Sequence, residues 1–353
     1  MINHTPQLEV VVASIIVDSL ASVIASEYDF GGPITCTLMK LFINDHYLIT
    51  DGQNKYVARL YRNILPSATK ESDDFGHPRA ALSYAFELEL VNHLFKMGLP
   101  VSYSIQRRDG EYLGPIDTPE GVRYYALFTF AEGKISVPMS EEQSYLHGAG
   151  IGRIHLATNS YQSKHQRYAS DLTFLLDDPI QRLREYWGES RGEKLDLVVD
   201  LTTHLKEKIF TLLNKSPDSW HIIGGNFTST HTFFNEQNQP TYFDFDSCSY
   251  GWRAYDLAIF LLEATLMGAA PEISASFLAG YQSVRPLSEA ELDSLLPFML
   301  IRQIWIMGTL TLLADIFGHL WFKAFYEQKM GELNMLWAYY QAEIGDVRFS
   351  IGD

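Results

Sequence analysis

Cysteine is scarce in this 353-residue chain, which contains only Cys36 and Cys248. The two lie far apart in sequence and form no CxxC pair, which excludes a disulfide framework and a cysteine-based zinc ribbon. So few cysteines are typical of proteins in a reducing compartment, and we predict a cytoplasmic location. Cys248 stands beside an acidic turn, where we predict a small packing residue rather than a reactive thiol.

Basic residues are outnumbered: 27 lysines and arginines stand against 43 aspartates and glutamates, for a net charge of −16. Phosphate backbones and anionic membranes attract basic patches, so this balance argues against nucleic acid or a membrane as partner. A small phosphate-bearing ligand is not excluded, because it needs only a few local donors and a metal ion. We therefore expect a small-molecule ligand; the sequence leaves the oligomeric state open.

Several other signatures are missing. The first residues lack the basic segment of a signal peptide. The longest apolar run, residues 295–313, contains Pro297, Arg302 and Gln303. A charge in the middle of a membrane helix is costly, so this run predicts a buried helix. No HExxH and no GxSxG motif occurs, which argues against the common zinc-hydrolase and serine-hydrolase patterns.

The residues that are present indicate a globular chain with two lobes. Apolar residues make up 46% and charged residues 20%, and the length suffices for two cores. β-Prone runs occur at residues 35–42, 46–50, 56–61, 101–106 and 122–130, with helical periodicity at 10–26 and 79–97 and turn composition at 108–119. The remainder is mostly helical in pattern. We predict a small five-stranded lobe with one main helix, followed by a larger helical lobe.

One stretch, residues 219–256, concentrates the polar chemistry. A Gly-Gly-Asn loop at 224–226 enters two short β-prone runs joined by turn residues, and the second run leads to Asp244 and Asp246. An amide oxygen and a carboxylate that converge make an oxygen-only site, which Mg²⁺ prefers when phosphates complete its coordination. We predict Asn226 and Asp244 as metal ligands, and leave open whether Asp246 also binds.

The same stretch resembles the aminoglycoside phosphotransferase/choline kinase family, and within it the homoserine kinase type II-like and stress-response kinase-like branch. Members carry H-G-D-x-H-x-G-N, a hairpin, and then D-F-D-D-x-x-x-G-x-R-x-x-D-L-A. Gly225-Asn226 matches the end of the first motif, while residues 244–246 (DFD) and 251–258 (GWRAYDLA) match the second.

This resemblance, which spans about residues 30–325, implies a bilobal α+β fold of the protein-kinase-like class. It implies a nucleotide-binding lobe at residues 1–131 and a catalytic and substrate lobe at 132–353. The implied activity is ATP- and Mg²⁺-dependent phosphorylation of a hydroxyl on a small molecule, such as an amino alcohol or a hydroxy-amino acid.

The resemblance also assigns roles within the first lobe. It places the phosphate-contacting basic residue on Arg59 and its helical glutamate partner on Glu87, with Glu89 as the weaker alternative. The strand that carries Phe128 and Phe130 runs into the family's hinge, whose backbone faces adenine. We therefore expect these two phenylalanines to border the nucleotide through their backbone.

The chain departs from the family at the catalytic position. Counted back from Asn226, the family's catalytic aspartate falls on His221 and its leading histidine falls on Ser219. The aspartate accepts a proton from the attacking hydroxyl; a neutral imidazole also accepts a proton but supplies no negative charge. Asp218 lies three residues out of register, and Ser247 replaces the second acidic residue after D-F-D.

Three hypotheses follow from this departure. His221 orients the acceptor as a weaker base, with Asn226 and Asp244, in a working kinase. Alternatively, the chain is a pseudokinase-like protein that binds a nucleotide or another ligand without transferring phosphate. In the third, the fold supports altered chemistry at His221, including nucleotidyl transfer. Fold alone does not choose among them.

Overall fold

The computed structural model describes residues 17–41, 43–62, 78–119, 121–188 and 193–345. The chain divides into two compact units, one from the residues up to Leu88 together with Tyr103–Phe130, the other from Glu89–Ser102 and the residues from Ala131 onward. The sequence assigns residues 1–131 to one lobe, whereas Glu89–Ser102 belongs to the second unit. A long helix at Pro78–Lys96 contributes to both units.

The first unit is built on an antiparallel sheet. Its elements are helix α1 (Val17–Glu27), the first part of helix α2 (Pro78–Lys96), and strands β1 (Thr35–Leu41), β2 (Asn44–Thr50), β3 (Lys55–Tyr61), β4 (Gly114–Thr118) and β5 (Gly121–Thr129). The strand order is β1-β2-β3-β5-β4. Leu20 and Ile24 of α1 pack against Tyr47, Ile49 and Leu60, which lie on one face of the sheet. Residues 10–16 of the predicted first helix lie outside the described residues.

The fifth strand corrects one prediction. The sequence predicts a strand at 101–106 and turns at 108–119, but β4 lies within the predicted turns, and Val101 and Ser104 form only isolated bridges. β4 pairs on one side, with β5, and an edge strand tolerates Pro115 because a ladder partner is needed on one side only. Its turn-like composition therefore conceals a strand.

The second unit is mainly helical. Its helices are α3 (Glu141–Thr158), α4 (Asp178–Trp187), α5 (Glu193–Leu212), α6 (Arg253–Leu266), α7 (Pro271–Gln282), α8 (Glu289–Thr309), α9 (Ala314–Phe317) and α10 (His319–Gly345). Its strands are β6 (Lys134–Ile135), β7 (Ala169–Ser170), β8 (Trp220–Ile223), β9 (Thr232–Phe234), β10 (Pro240–Tyr242) and β11 (Ser249–Trp252). They form two three-stranded sheets, in the orders β10-β9-β6 and β7-β11-β8. A sheet unit and a helical unit confirm the predicted α+β class.

Helix α8 lies in the core of the second unit. The sequence Ser288-Glu-Ala-Glu291 predicts a capping box at its start, and the structure has one: the Ser288 hydroxyl accepts from the Glu291 N–H, and the Glu291 carboxylate accepts from the Ser288 N–H. Within the described residues, one helical stretch, Glu289–Leu313, is long and apolar enough to span a membrane, and 72% of its apolar window is buried in protein. The extent of this burial fits the predicted core helix.

Glycines allow α3 and α7 to approach closely. A Cβ on Gly148 would lie 2.0 Å from the carbonyl oxygen of Phe277, and one on Gly280 would lie 2.0 Å from that of Tyr145. Neither site has room for a methyl group. The sequence around Gly148, Gly150 and Gly152 predicts close helix packing rather than a dinucleotide fingerprint, and the contact at Gly148 fits that prediction.

Replacing Gly148 by alanine is expected to lower the free energy of unfolding by about 1–3 kcal/mol, because the added methyl overpacks a backbone contact. Gly331 is the matched control: it lies in α10, and a Cβ there meets nothing within 4 Å. Gly331→Ala is expected to stabilise by roughly 0.5–1 kcal/mol through helix propensity alone. Urea unfolding of both variants checks the prediction, which is contradicted if both respond alike.

Candidate functional site

A buried ion pair marks the first unit. Arg59 of β3 and Glu87 of α2 meet with Nη1 and Oε1 2.5 Å apart, and their side chains are 6% and 1% exposed. The Tyr61 hydroxyl donates to the other carboxylate oxygen at 3.1 Å, and Arg59 Nε lies 3.3 Å from His46 Nε2. The structure therefore brings together the two residues that the resemblance pairs. A buried charge pair is stable only when it is hydrogen-bonded in this way.

The two phenylalanines of the predicted hinge have different surroundings. Phe128 is buried on β5, and the Arg59 guanidinium carbon lies 4.7 Å from its ring centroid. Phe130 is half-buried, and Lys55 Nζ lies 5.3 Å from its ring centroid. The Phe128 ring therefore makes a cation–π contact with the Arg59 guanidinium. Backbone contact of either residue with adenine stays a prediction.

Glu89, the alternative partner of Arg59, forms hydrogen bonds with other residues. Its carboxylate accepts hydrogen bonds from Tyr161 at 3.1 Å and Ser163 at 2.6 Å, both in the second unit with it. Two residues along a helix rotate a side chain by more than half a turn, so Glu87 and Glu89 project to different faces. The geometry favours Glu87.

In the second unit, a buried aspartate fixes the loop that follows β8. Asp256, in the first turn of α6, accepts from the N–H groups of Gly224 and Gly225, each at 2.7 Å, and is fully buried. Gly225 has φ +72°, and a Cβ there would lie 2.3 Å from the Ser247 carbonyl oxygen. Both features explain the glycine at position 225, where the backbone needs a left-handed φ and a close approach. Asn226 follows directly.

His155 completes the support of Asp256. Its Nε2 lies 3.0 Å from the Asp256 carboxylate, and its Nδ1 lies 2.9 Å from the Tyr281 hydroxyl. The carboxylate only accepts, so Nε2 carries the hydrogen. Burial lowers the pKa of His155, although Asp256 opposes that shift. The helical pattern around His155 predicts a packed core histidine rather than a ligand, and its full burial fits that prediction.

A hairpin then delivers the acidic turn. Strands β9 and β10 pair antiparallel, with Phe234 opposite Pro240, and the chain passes into Asp244 in a left-handed conformation, φ 65° and ψ 57°. Asp246, two residues on, accepts from the Ser247 hydroxyl at 3.1 Å. Left-handed aspartate is uncommon, and such conformations cluster at functional sites.

The side chain of His231 lies beside Asp244. His231 Nε2 lies 3.3 Å from Asp244 Oδ2, and its Nδ1 lies 2.9 Å from the Asn226 carbonyl oxygen. The Asn226 side-chain oxygen instead accepts from the buried Arg302 guanidinium at 2.6 Å. The positive charge of Arg302 opposes the binding of a metal ion to the same side-chain oxygen of Asn226. The sequence interpretation missed His231 and Arg302; the one available signal was a histidine five residues after Asn226, at the start of the hairpin.

The predicted base, His221, lies in β8 opposite Gly251 of β11. It is half-buried, and its Nδ1 has no hydrogen-bond partner among the residues that the structure describes. Burial lowers the pKa of His221, and the positive charge of Arg253 lowers it further. The imidazole is therefore neutral near pH 7 and able to accept a proton. Its catalytic role stays a prediction.

The described residues contain no group of three or more His, Cys, Asp or Glu side chains able to hold a metal ion. A divalent ion bound through one or two side chains, with phosphate oxygens completing its shell, needs no such group. Asp244 fits that requirement through its carboxylate, 21% exposed. Asn226 fits less well, because Arg302 already donates to its side-chain oxygen.

Comparison with known proteins identifies a family and several relatives of the chain. Residues 38–292 match the phosphotransferase enzyme family. Sequence relatives include uncharacterized protein sll1119 of Synechocystis sp., 29% identical over 288 residues (81% of this chain, 76% of that protein), and homoserine kinase of Brucella anthropi, 27% identical over 261 residues (71% of each). Among solved structures, the amicoumacin kinase hAmiN in complex with AMP-PNP, Ca²⁺ and Ami superposes with a TM-score of 0.70 at 20% identity, covering 90% of this chain and 92% of that one. The protein-kinase-like fold class is thereby confirmed, and the chain belongs to the phosphotransferase enzyme family.

Proposed function

We propose that this protein binds ATP together with a divalent cation and transfers the terminal phosphoryl group to the hydroxyl of a small molecule. The observation that carries the proposal is the buried Arg59–Glu87 pair, completed by Tyr61. Burying two charges is costly, and here it holds the Arg59 guanidinium in one orientation. A phosphate group explains this arrangement, because a fixed guanidinium can donate two parallel hydrogen bonds to phosphate oxygens.

The proposed acceptor is an amino alcohol or a hydroxy-amino acid. One relative is named a homoserine kinase, and one structural neighbour holds AMP-PNP and Ca²⁺. These names support a nucleotide, a divalent ion and a small acceptor for this chain by similarity. The choice of Mg²⁺, the acceptor itself and the cytoplasmic location are part of the proposal.

Each residue has a role that its surroundings allow. Arg59 binds phosphate oxygens, and Glu87 fixes the guanidinium. Asp244 holds the metal, which neutralises phosphate charge when bound. His221, neutral near pH 7, accepts the proton of the acceptor hydroxyl. The lowered pKa of His221 keeps it unprotonated to more acidic pH than an ordinary histidine.

A second candidate is nucleotide binding without turnover. Two observations favour it: the Asn226 oxygen is held by Arg302, and the one side chain predicted as base lies within a β-strand. Binding is common to both candidates, and phosphoryl transfer separates them.

Calorimetric titration of AMP-PNP, with and without a divalent ion, tests the proposal. We expect metal-dependent binding, and we expect Asp244→Ala to weaken it by at least about 10- to 100-fold, the range that even outer partners of a metal ligand contribute. Asp246→Ala settles the role of the second carboxylate. Asp200→Ala, an exposed change on α5, is the matched control and is expected to bind normally.

Absence of AMP-PNP binding to the wild-type protein under every metal condition contradicts both candidates. Nucleotide binding without phosphoryl transfer to any hydroxyl acceptor, with no ADP formed from ATP, favours the second candidate. Binding with transfer favours the first.

A further inference from the structure

The hydrogen bond at His231 Nδ1 fixes the state of the other ring nitrogen. Nδ1 lies 2.9 Å from the Asn226 backbone oxygen, and a carbonyl oxygen only accepts, so Nδ1 carries the hydrogen. In the neutral imidazole, Nε2 is then a bare lone pair, and it lies 3.3 Å from Asp244 Oδ2. Two electron-rich atoms at this distance repel each other unless a proton or a metal ion lies between them.

The spacing suits a shared metal ion. Two ligands at right angles, each about 2.1 Å from one ion, lie about 3 Å apart. The observed separation of 3.3 Å needs a shift of only a few tenths of an ångström. Both side chains are partly exposed, 17% for His231 and 21% for Asp244, so an ion and its remaining water or phosphate ligands have access.

The hydrogen bond from His231 Nδ1 to the Asn226 carbonyl oxygen is of the kind that metal-binding histidines make. Such histidines donate their other N–H to a carbonyl or carboxylate, which fixes the tautomer and the ring orientation. Asn226 supplies that carbonyl from its backbone, on a loop anchored by Asp256. The ring is therefore oriented before any metal arrives.

We propose that His231 Nε2 and the Asp244 carboxylate form a mixed nitrogen–oxygen site for the divalent ion that accompanies the nucleotide, and that this site prefers Mn²⁺ to Mg²⁺. The proposal rests on the proposed function, in that nucleotide phosphates complete the coordination. An imidazole is a poor ligand for Mg²⁺, which demands oxygen, and a better one for first-row transition ions. His231 thus takes the place that the sequence assigns to Asn226, whose side-chain oxygen faces Arg302.

Electron paramagnetic resonance of bound Mn²⁺ tests the assignment without relying on activity. Wild-type protein, with and without AMP-PNP, is expected to bind Mn²⁺ and to show nitrogen hyperfine coupling from the imidazole. His231→Asn keeps an oxygen ligand and is expected to lose the nitrogen coupling and at least about tenfold in Mn²⁺ affinity. In the same variant, AMP-PNP is expected to bind with Mg²⁺ about as well as with Mn²⁺.

The matched control is His204→Asn. His204 lies on α5 and contacts Trp337 and Tyr340 of α10, so its removal is expected to leave the nitrogen coupling unchanged. Circular dichroism of each variant confirms folding. Should His231→Asn fail to fold, the coupling in the wild-type protein, and its loss in Asp244→Asn, still decide the assignment.

Every outcome bears on the proposal. Bound Mn²⁺ without nitrogen coupling, no bound Mn²⁺ under either condition, or an unchanged coupling in His231→Asn overturns it. AMP-PNP binding that Mg²⁺ supports and Mn²⁺ does not also overturns the proposed site, while it leaves the proposed function intact. Nitrogen coupling in wild-type protein that fails to bind AMP-PNP supports the metal site and contradicts the proposed function, so the two failures are distinguishable.

Discussion

Replacing Glu87 by alanine is expected to lower the free energy of unfolding by about 3–5 kcal/mol, because it leaves the Arg59 guanidinium buried without its counter-charge. Glu87 is 1% exposed and Arg59 is 6% exposed, so little water is available to solvate either charge. The Tyr61 hydroxyl loses its acceptor in the same change. Chemical denaturation of the variant measures the effect.

The double variant Arg59→Met, Glu87→Leu separates stability from function. Apolar residues of similar volume often replace a buried ion pair at no cost, so most of the lost stability is expected to return. Nucleotide affinity is not expected to return with it, because no guanidinium is left for the phosphates. A double variant that is stable and still binds AMP-PNP as tightly as the wild type contradicts the proposed role of the pair.

Replacing Asp256 by alanine is expected to cost about 3–5 kcal/mol of folding free energy. Its carboxylate accepts from Gly224, Gly225 and His155, and it is fully buried. The change leaves two backbone N–H groups and one imidazole N–H without an acceptor. It also frees the loop that carries Asn226, so metal-dependent nucleotide binding is expected to fall even at temperatures where the variant is folded.

Asp196 is the matched control for this experiment, because it is an exposed aspartate on α5. Asp196→Ala is expected to change stability by less than about 0.5 kcal/mol, as surface substitutions do. Thermal unfolding followed by calorimetric titration of AMP-PNP gives both quantities. Equal effects of the two substitutions would show that Asp256 does not anchor the loop.

Local signals in the sequence determined the helices well. The capping box at Ser288 is found where the sequence predicts it. The helical patterns at residues 141–159 and 271–281 predict α3 and α7, which begin and end within a residue of those bounds. Such signals succeed because a cap or a helical face depends on neighbours within a turn or two. The β4 strand was missed because an edge strand depends on the partner it pairs with, and its own residues resemble a turn.

The motif resemblance reached further than local pattern did. It paired Arg59 with Glu87 across 28 positions, and the structure brings them into contact. It identified Asp244 as the acidic residue after the hairpin, and that residue has left-handed backbone geometry. Resemblance to a family motif predicts contacts between residues far apart in the chain, which the local pattern of one segment does not predict.

Only the tertiary structure decided which side chains meet around Asp244. Arg302 reaches Asn226 across 76 positions, and His231 reaches Asp244 across the hairpin. The spacing of Asn226, His231 and Asp244 is legible in the sequence, but the direction of each side chain is not. That direction is set by hairpin register and by a guanidinium from a distant helix, and both are products of packing. The sequence alone therefore determined the family, the fold class and the acidic turn, whereas the fold determined the partner of the acidic turn.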